Sequence, residues 1–288
     1  MIERSVGVLG ASSLIGDCLL PLLTEKGLQV NAFSRNPTKE SKDGVIWYRI
    51  DQYASYESIP HWINLAPIWV LPPLFPQLEV SGIRRLVVLS STSRFTKEAS
   101  SDVGEQQLSK RLRDAEEQVI SWAEGRGIEW IILRPTLIYG LGKDGNISEV
   151  ARFIKRYRVF PLLGRAEGLR QPVHANDVAQ ACLAVLEHRE ISDRSYNISG
   201  GETLPYRAMV ERVFQALRLR TRWLHLPLPL FRMSILLIRQ IPRYRHWTPA
   251  MAERMNRDLV FDHSEAERDF EFRPRAFVLA NEDLPETD

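Results

Sequence analysis

Apolar and polar positions alternate along this chain in two rhythms. Ser5–Leu9 is a short apolar run of the kind that forms a buried strand. From Ser13 to Lys26 the apolar residues Leu14, Ile15, Cys18, Leu19, Leu22 and Leu23 recur at helical spacing, and Gly27 supplies the stop. Further β-branched and aromatic runs predict strands at Leu28–Phe33, Val45–Ile50, Trp62–Leu65, Arg85–Ser90 and Glu129–Leu133. A long helix is predicted over Val103–Arg126, closed by Gly125-Arg126-Gly127. Strands alternating with helices imply an α/β fold with a Rossmann-type, doubly wound parallel sheet.

Two connections are unusual. Only Asp51–His61 joins the third and fourth strands, and Pro67–Gly82 contains Pro72, Pro73 and Pro76, so long helices are not expected on that side of the sheet. After Tyr139 the pattern becomes mixed. Helices are predicted at Ile147–Tyr157, Ala175–His188, Tyr206–Arg218 and parts of Pro229–Ile241, with strands at Gln171–His174 and Arg194–Ile198. The expected organisation is a dinucleotide-binding domain over 1–140, with 171–200 interleaved, and a smaller discontinuous α/β substrate lobe over 141–288.

Composition adds little to this picture. The chain has 288 residues, 44% hydrophobic and 26% charged, with a formal net charge of +2, which is ordinary for a globular protein and too balanced to argue for nucleic acid. Cys18 and Cys182 both fall in apolar helical patterns and read as buried thiols, consistent with a reducing, cytoplasmic setting. Met1–Arg4 runs straight into the first strand, so no signal peptide is expected. No apolar run reaches membrane-spanning length. The six histidines show no metal-ligand spacing, and no Gly-x-Ser-x-Gly elbow is present.

The chemistry begins at Gly10-Ala11-Ser12-Ser13-Leu14-Ile15-Gly16, a glycine turn between a strand and a helix. Such a turn presents backbone amides and a helix N-terminus to a phosphate. The segment after the second strand, Phe33-Ser34-Arg35-Asn36-Pro37, contains no acid to bond a ribose 2′-hydroxyl. Arg35 instead offers a forked cation to a 2′-phosphate, which favours NADP over NAD, with NAD still open.

Five segments in order resemble the extended short-chain dehydrogenase/reductase superfamily, in its NAD-dependent epimerase/dehydratase branch. They are Gly10-x-x-Ser13-x-x-Gly16, Leu89-Ser90-Ser91-Thr92-Ser93, Leu133-Arg134-Pro135-Thr136-Leu137-Ile138-Tyr139-Gly140, Gln171-Pro172-Val173-His174-Ala175-Asn176-Asp177-Val178-Ala179, and Tyr196-Asn197-Ile198-Ser199-Gly200-Gly201-Glu202. The resemblance spans about Val6 to Phe277. It implies dinucleotide contacts from Gly10, Ser12, Ser13, Leu14, Ile15, Gly16, Ser34, Arg35, Asp51, Leu65, Ala66, Lys110 and Pro135. It implies a small-molecule substrate such as a sugar nucleotide, met by Arg134, Thr136 and Arg170, and pairing of two copies through helices beside the sheet. Asp51 reads equally as a helix cap.

The superfamily uses a tyrosine four residues before a lysine on one helix face. Here Lys110 follows Leu108-Ser109 as the pattern asks, but Gln106 stands where the tyrosine belongs, and an amide is no proton donor of useful pKa. Ser91 and Thr92 match the position that orients a substrate oxygen, or else form the turn. Tyr139, at the carboxyl edge of the sheet, is the first candidate for the missing proton donor. Lys97 and Glu105 rank behind it. Asn146 and Asp177 read as helix caps, His174 as part of the strand before Asp177, and Arg165 as a further basic residue on the ligand side.

Trp223–Trp247 interleaves Leu, Ile and Phe with Arg222, Arg232, Arg239, Arg243 and Arg245. A basic amphipathic helix flanked by tryptophans suits a membrane interface. It equally suits a helix over the substrate lobe or a dimer contact, and membrane contact is the weaker of these readings. Two functions remain in competition. One is an NADP-dependent epimerase or reductase acting on a nucleotide- or lipid-linked sugar. The other is a catalytically silent NADP(H)-binding sensor or complex-stabilising protein.

Overall fold

The computed structural model describes residues 5–35, 44–49, 58–226 and 253–286. Its centre is a seven-stranded parallel sheet. The strands are β1 (Ser5–Leu9), β2 (Gln29–Ser34), β3 (Val45–Arg49), β4 (His61–Asn64), β5 (Arg85–Leu89), β6 (Glu129–Pro135) and, after four two- to four-residue strands described below, β11 (Arg194–Ile198). Their order is β11-β6-β5-β4-β1-β2-β3. The chain winds outward from β1 to β3, then returns to the other side of β1 through β4. This reversal opens a crevice at the carboxyl ends of β1 and β4, where Leu9 lies level with Phe33 on one side and Asn64 on the other.

Alternation along each strand separates two apolar layers. Val6, Val8, Val30, Ala32, Ile63, Val87, Leu89, Ile131 and Leu133 face one side. There they meet α1 (Leu14–Glu25) and α6 (Ala175–Glu187), which contribute Ile15, Leu19, Leu23, Val178 and Cys182. Leu9, Phe33, Trp62, Leu86, Val88, Trp130 and Ile132 face the other side, against Leu112, Ala115, Val119 and Ala123 of α4 (Val103–Arg126). Each fully buried aliphatic side chain of this kind contributes about 1.5–3 kcal/mol.

The proline-rich stretch after β4 forms two single 3₁₀ turns and the short α2 (Phe75–Val80), as expected where prolines remove the donors a longer helix needs. After β5 come α3 (Ser93–Thr96) and α4. Beyond β6 lie β7 (Ile138–Tyr139), α5 (Ile147–Tyr157), β8 (Phe160–Leu163), β9 (Leu169–Arg170) and β10 (Val173–His174). After β11 lie β12 (Leu204–Pro205), α7 (Tyr206–Ala216), β13 (Trp223–Leu226) and α8 (Ser264–Phe270). A third apolar cluster joins α5, β8 and α7 through Ile147, Ala151, Ile154, Phe160, Leu162, Val210, Val213 and Phe214.

Two sequence expectations change. Trp223–Leu226, expected within an amphipathic helix, is a strand paired in parallel with β8. The residues from 227 to 247 and Asp51 lie outside the described residues. Asp177 does not cap its helix, because α6 starts two residues earlier, at Ala175, with His174 as the cap.

Candidate active site

The glycine turn is built as its spacing suggests. Gly10 adopts a left-handed φ of 74°. A Cβ there would lie 2.6 Å from the Ala66 nitrogen. The amides of Gly10 and Ala11 both donate to the Phe33 carbonyl, at 3.1 and 3.3 Å, tying the turn to the end of β2. Gly16 lets α1 close on the turn, since a Cβ would lie 2.1 Å from the Ala11 carbonyl oxygen. Ser13, the departure from the glycine pattern, is the helix cap: its hydroxyl accepts from the Gly16 amide at 3.2 Å. The next amides, Leu14 and Ile15, belong to a first turn that has no carbonyls behind it within the helix. The positive end of α1 therefore opens onto the crevice.

Beside it the Ser12 and Ser34 hydroxyls lie 3.0 Å apart, and Arg35 is exposed directly after β2. Across the crevice the Leu65 amide donates to the Leu9 carbonyl at 2.8 Å. Asn64 donates to the Ala66 carbonyl at 2.8 Å, while its buried Oδ1 has no partner among the described residues. An anion-accepting helix end, two hydroxyls and an exposed guanidinium form a donor set that fits a phosphorylated dinucleotide.

The serine turn after β5 rests on a network that motif reading did not anticipate. Ser90 donates to Glu116 Oε1 at 2.5 Å. Glu116 is buried on the inner face of α4 and also receives Arg134 at 2.7 Å and Arg94. Both guanidinia lie against Phe95, with Arg94 at 5.0 Å and Arg134 at 5.5 Å from its ring centre. The signal was present: Leu112, Glu116, Val119 and Ala123 share one helical stripe, so a carboxylate sits where an apolar residue belongs. Ser91 accepts from the Ser93 amide at 3.1 Å. Buried Thr92 donates to the Pro135 carbonyl at 3.2 Å. Both hydroxyls thus hold the turn.

The structure does not bring Lys110 to this turn. Lys110 is mostly exposed and pairs with Asp114 at 2.5 Å. It lies beside Trp69, Pro72, Pro73 and Arg111 in a shallow hollow on the outer side of α4. It lies two positions before inward-facing Leu112, a rotation of about 200°. Gln106 is exposed too, donating to the Ser100 carbonyl at 2.9 Å. Glu105 is held by Ser100 at 2.7 Å and by Arg254. Lys97 stands 3.9 Å from Glu105; desolvation and then the charge of Arg254 lower its pKa.

Tyr139 is sealed inside the protein. Its hydroxyl donates to the Val278 carbonyl at 3.4 Å, with His174 and Phe277 edge-on to its ring. Burial pushes its pKa up to about 12, so it is not poised to exchange a proton with a ligand. Arg170 is a structural clamp rather than a free diphosphate ligand. Buried, it donates to the carbonyls of Leu169 at 2.7 Å, Arg257 at 2.8 Å and Arg254, and lies over Tyr206. Burial lowers its pKa to about 10. Arg134 is committed to Glu116, and Thr136 donates to the Gln171 carbonyl at 2.5 Å. Arg165 is exposed, 4.0 Å from Glu167.

His174 accepts from the Asn176 amide through Nδ1 at 3.1 Å, which leaves Nε2 to donate to Asp283 at 3.0 Å. Asp177 grips Arg275 through its amide at 3.0 Å and its side chain at 2.8 Å. Asn146 occupies the cap position of α5, but Asp144 does the capping, accepting from the Asn146 and Ser148 amides. Burial raises the thiol pKa of Cys18 to about 11 and of Cys182 to about 12. Among the described residues no helix is long and apolar enough to cross a membrane, and no group of three potential metal ligands occurs.

Comparison with known proteins agrees with this architecture. The NAD dependent epimerase/dehydratase family matches residues 77–199. An uncharacterized protein, y4nG, of Sinorhizobium fredii is 23% identical over 302 residues, covering 95% of this chain and 76% of the relative. The UDP-glucose 4-epimerase of Vibrio cholerae is 25% identical over 118 residues, covering 41% of this chain and 35% of the enzyme. Among solved structures, MoeE5 in complex with UDP-glucose and NAD superposes with a TM-score of 0.68 at 20% identity, covering 95% of this chain and 94% of that one. UDP-glucose 4-epimerase from Thermotoga maritima, with UDP-glucose, gives a TM-score of 0.67 at 14% identity over 94% and 93% of the two chains. Residues 77–199 thus match the NAD dependent epimerase/dehydratase family, and the chain as a whole shares the α/β fold of these solved structures, with its seven-stranded parallel sheet.

Proposed function

We propose that this chain binds a nicotinamide dinucleotide along the carboxyl edge of the sheet, NADP(H) in preference to NAD(H). In this reading it acts as an epimerase- or reductase-type oxidoreductase on a nucleotide- or lipid-linked sugar. The observation that carries the reading is the open N-terminus of α1 behind Gly10, flanked by Ser12, Ser34 and Arg35. The amides of Leu14 and Ile15 hold the pyrophosphate. Arg35 and the two hydroxyls hold the ribose 2′-phosphate. Leu65, Ala66 and Pro135 wall the site. When bound, the dinucleotide supplies reversible hydride transfer at its nicotinamide. Support for the substrate class comes from the UDP-sugar complexes of the structural neighbours.

A silent binding protein is the second reading. It is favoured by the exposure of Gln106 and Lys110 and by the sealing of Tyr139. One experiment separates them. The protein is titrated with NADPH and NADH by fluorescence, then the loaded protein is given a panel of sugar nucleotides while nicotinamide absorbance and sugar configuration are followed. Tighter binding of NADH ends the NADP preference. Saturable NADPH binding with no change in cofactor or sugar ends the enzymatic reading and leaves the silent one.

A further inference from the structure

Away from the crevice, the lobe built on α5 and α7 carries a concentrated cationic face. The two helices pack against each other, and each leads into a strand: α5 through Arg158 into β8, and α7 through residues 217–222 into β13. These strands are parallel and start level. Phe160 lies opposite Trp223, and the Phe160 amide donates to the Arg222 carbonyl at 2.9 Å. Both helices therefore end at the same end of the lobe, where Arg158, Arg218, Arg220 and Arg222 are all exposed. Tyr157 and Leu224 lie exposed among them. The chain as a whole is nearly balanced, with 38 basic and 36 acidic residues, yet residues 150–164 and 212–226 contain no Asp or Glu.

Arginines near helix ends have an ordinary explanation, since the helix dipole favours cations there. That accounts for part of the face only. Two helix termini supply about half a negative charge each, too little to neutralise four guanidinium groups. The backbone adds a second argument. Arg158 and Arg218 have left-handed φ values of 58° and 54°. Glycine adopts this conformation freely, whereas other L-residues adopt it at a cost. Two neighbouring helices thus end on arginine at the position that favours glycine.

We propose that this face docks peripherally on an anionic lipid bilayer, with the arginines on headgroup phosphates and Tyr157 and Leu224 entering the interface. Charge complementarity selects an anionic partner. The exposed leucine selects a bilayer over a polyanion, because an apolar side chain gains from the headgroup–acyl boundary and gains nothing from a phosphodiester backbone. The inference is independent of the cofactor reading.

The test is co-sedimentation of the whole chain with phosphatidylcholine vesicles, with and without phosphatidylglycerol. Binding is expected only to the anionic vesicles and is expected to weaken with salt. Each arginine near such a surface is worth roughly fivefold in partitioning. The R158E/R220E/R222E variant should therefore lose more than about 100-fold, while its melting temperature and NADPH titration stay as in the parent. Absence of binding by the parent overturns the proposal. So does equal binding to neutral vesicles, undiminished binding by the charge-reversed variant, or a preference for short single-stranded RNA over anionic vesicles.

Discussion

Replacing Glu116 by glutamine tests the network under the serine turn. Glu116 is 1% exposed, and its partners Arg134 and Arg94 are 12% and 19% exposed. The substitution keeps the shape and removes the charge, leaving two largely buried guanidinium groups facing a neutral amide. Breaking a buried ion pair by removing one partner costs about 3–5 kcal/mol. Partial solvent access to Arg94 favours the lower end, and its simultaneous loss with Arg134 the upper. For a chain of this size each kcal/mol corresponds to about 2–4 °C, so the expected fall in melting temperature is roughly 6–20 °C. Asp114→Asn is the matched control. It removes one carboxylate from the same helix, but its pair with Lys110 is 47% and 69% exposed and is worth about 0–1 kcal/mol at most. Both variants are followed by thermal unfolding in the near-ultraviolet, where Trp130 and Trp62 report the core. A Glu116→Gln protein melting within about 1 °C of the parent, or no lower than Asp114→Asn, would refute the reasoning.

Three further outcomes are expected. Arg35→Ala should weaken NADPH binding by about tenfold or more, the scale of one charge-assisted phosphate contact, and leave NADH binding unchanged; equal losses for both cofactors in calorimetry would remove Arg35 from the 2′-phosphate. Tyr139→Phe should lower stability by about 1 kcal/mol or less, given its long 3.4 Å hydrogen bond, and leave any turnover intact; loss of turnover at unchanged stability would restore Tyr139 as a proton donor. For Asp283, burial raises the pKa, but hydrogen bonds from His174 and from the Ala280 and Leu141 amides outweigh it and leave the net value lowered. A depressed carboxylate contributes stability above its unfolded pKa of about 3.9 and loses it as pH falls through the lower folded value. Asp283→Asn should therefore cost stability at neutral pH and flatten the acid limb of the stability profile below about pH 4, measured by urea unfolding across pH.

Much of the fold was legible because its signals are local. The helices Val103–Arg126 and Ile147–Tyr157 were bounded to the residue: an acidic cap and a closing glycine mark the ends of the first, and an unbroken apolar period marks the extent of the second. The glycine turn was equally plain. Failures arose where a side chain's role depends on partners distant in sequence. Lys110 matched a spacing pattern, but spacing does not reveal which face of α4 points inward; the stripe through Leu112 and Glu116 does. Arg170 and Tyr139 looked available as ligand groups because nothing in their own motifs shows the segments that enclose them, around residues 254–257 and 277–278. Ser13 looked like a defect in the cofactor cradle, and the fold makes it the helix cap.

The clasp between α6 and the 275–283 segment has a consequence for the order in which the protein forms. Asp177 awaits Arg275, 98 residues downstream, and His174 awaits Asp283, 109 residues downstream. On a ribosome, α6 and the central strands emerge while the Asp177 carboxylate and the His174 ring are both still without their partners. Tyr139 likewise stays open to water until Phe277 arrives to cover it. The sheet can therefore assemble first, but the wall behind β7 and β10 closes only once residues 275–283 have emerged. A chain stalled before residue 275 should expose a phenol and an acidic helix start that the finished protein conceals.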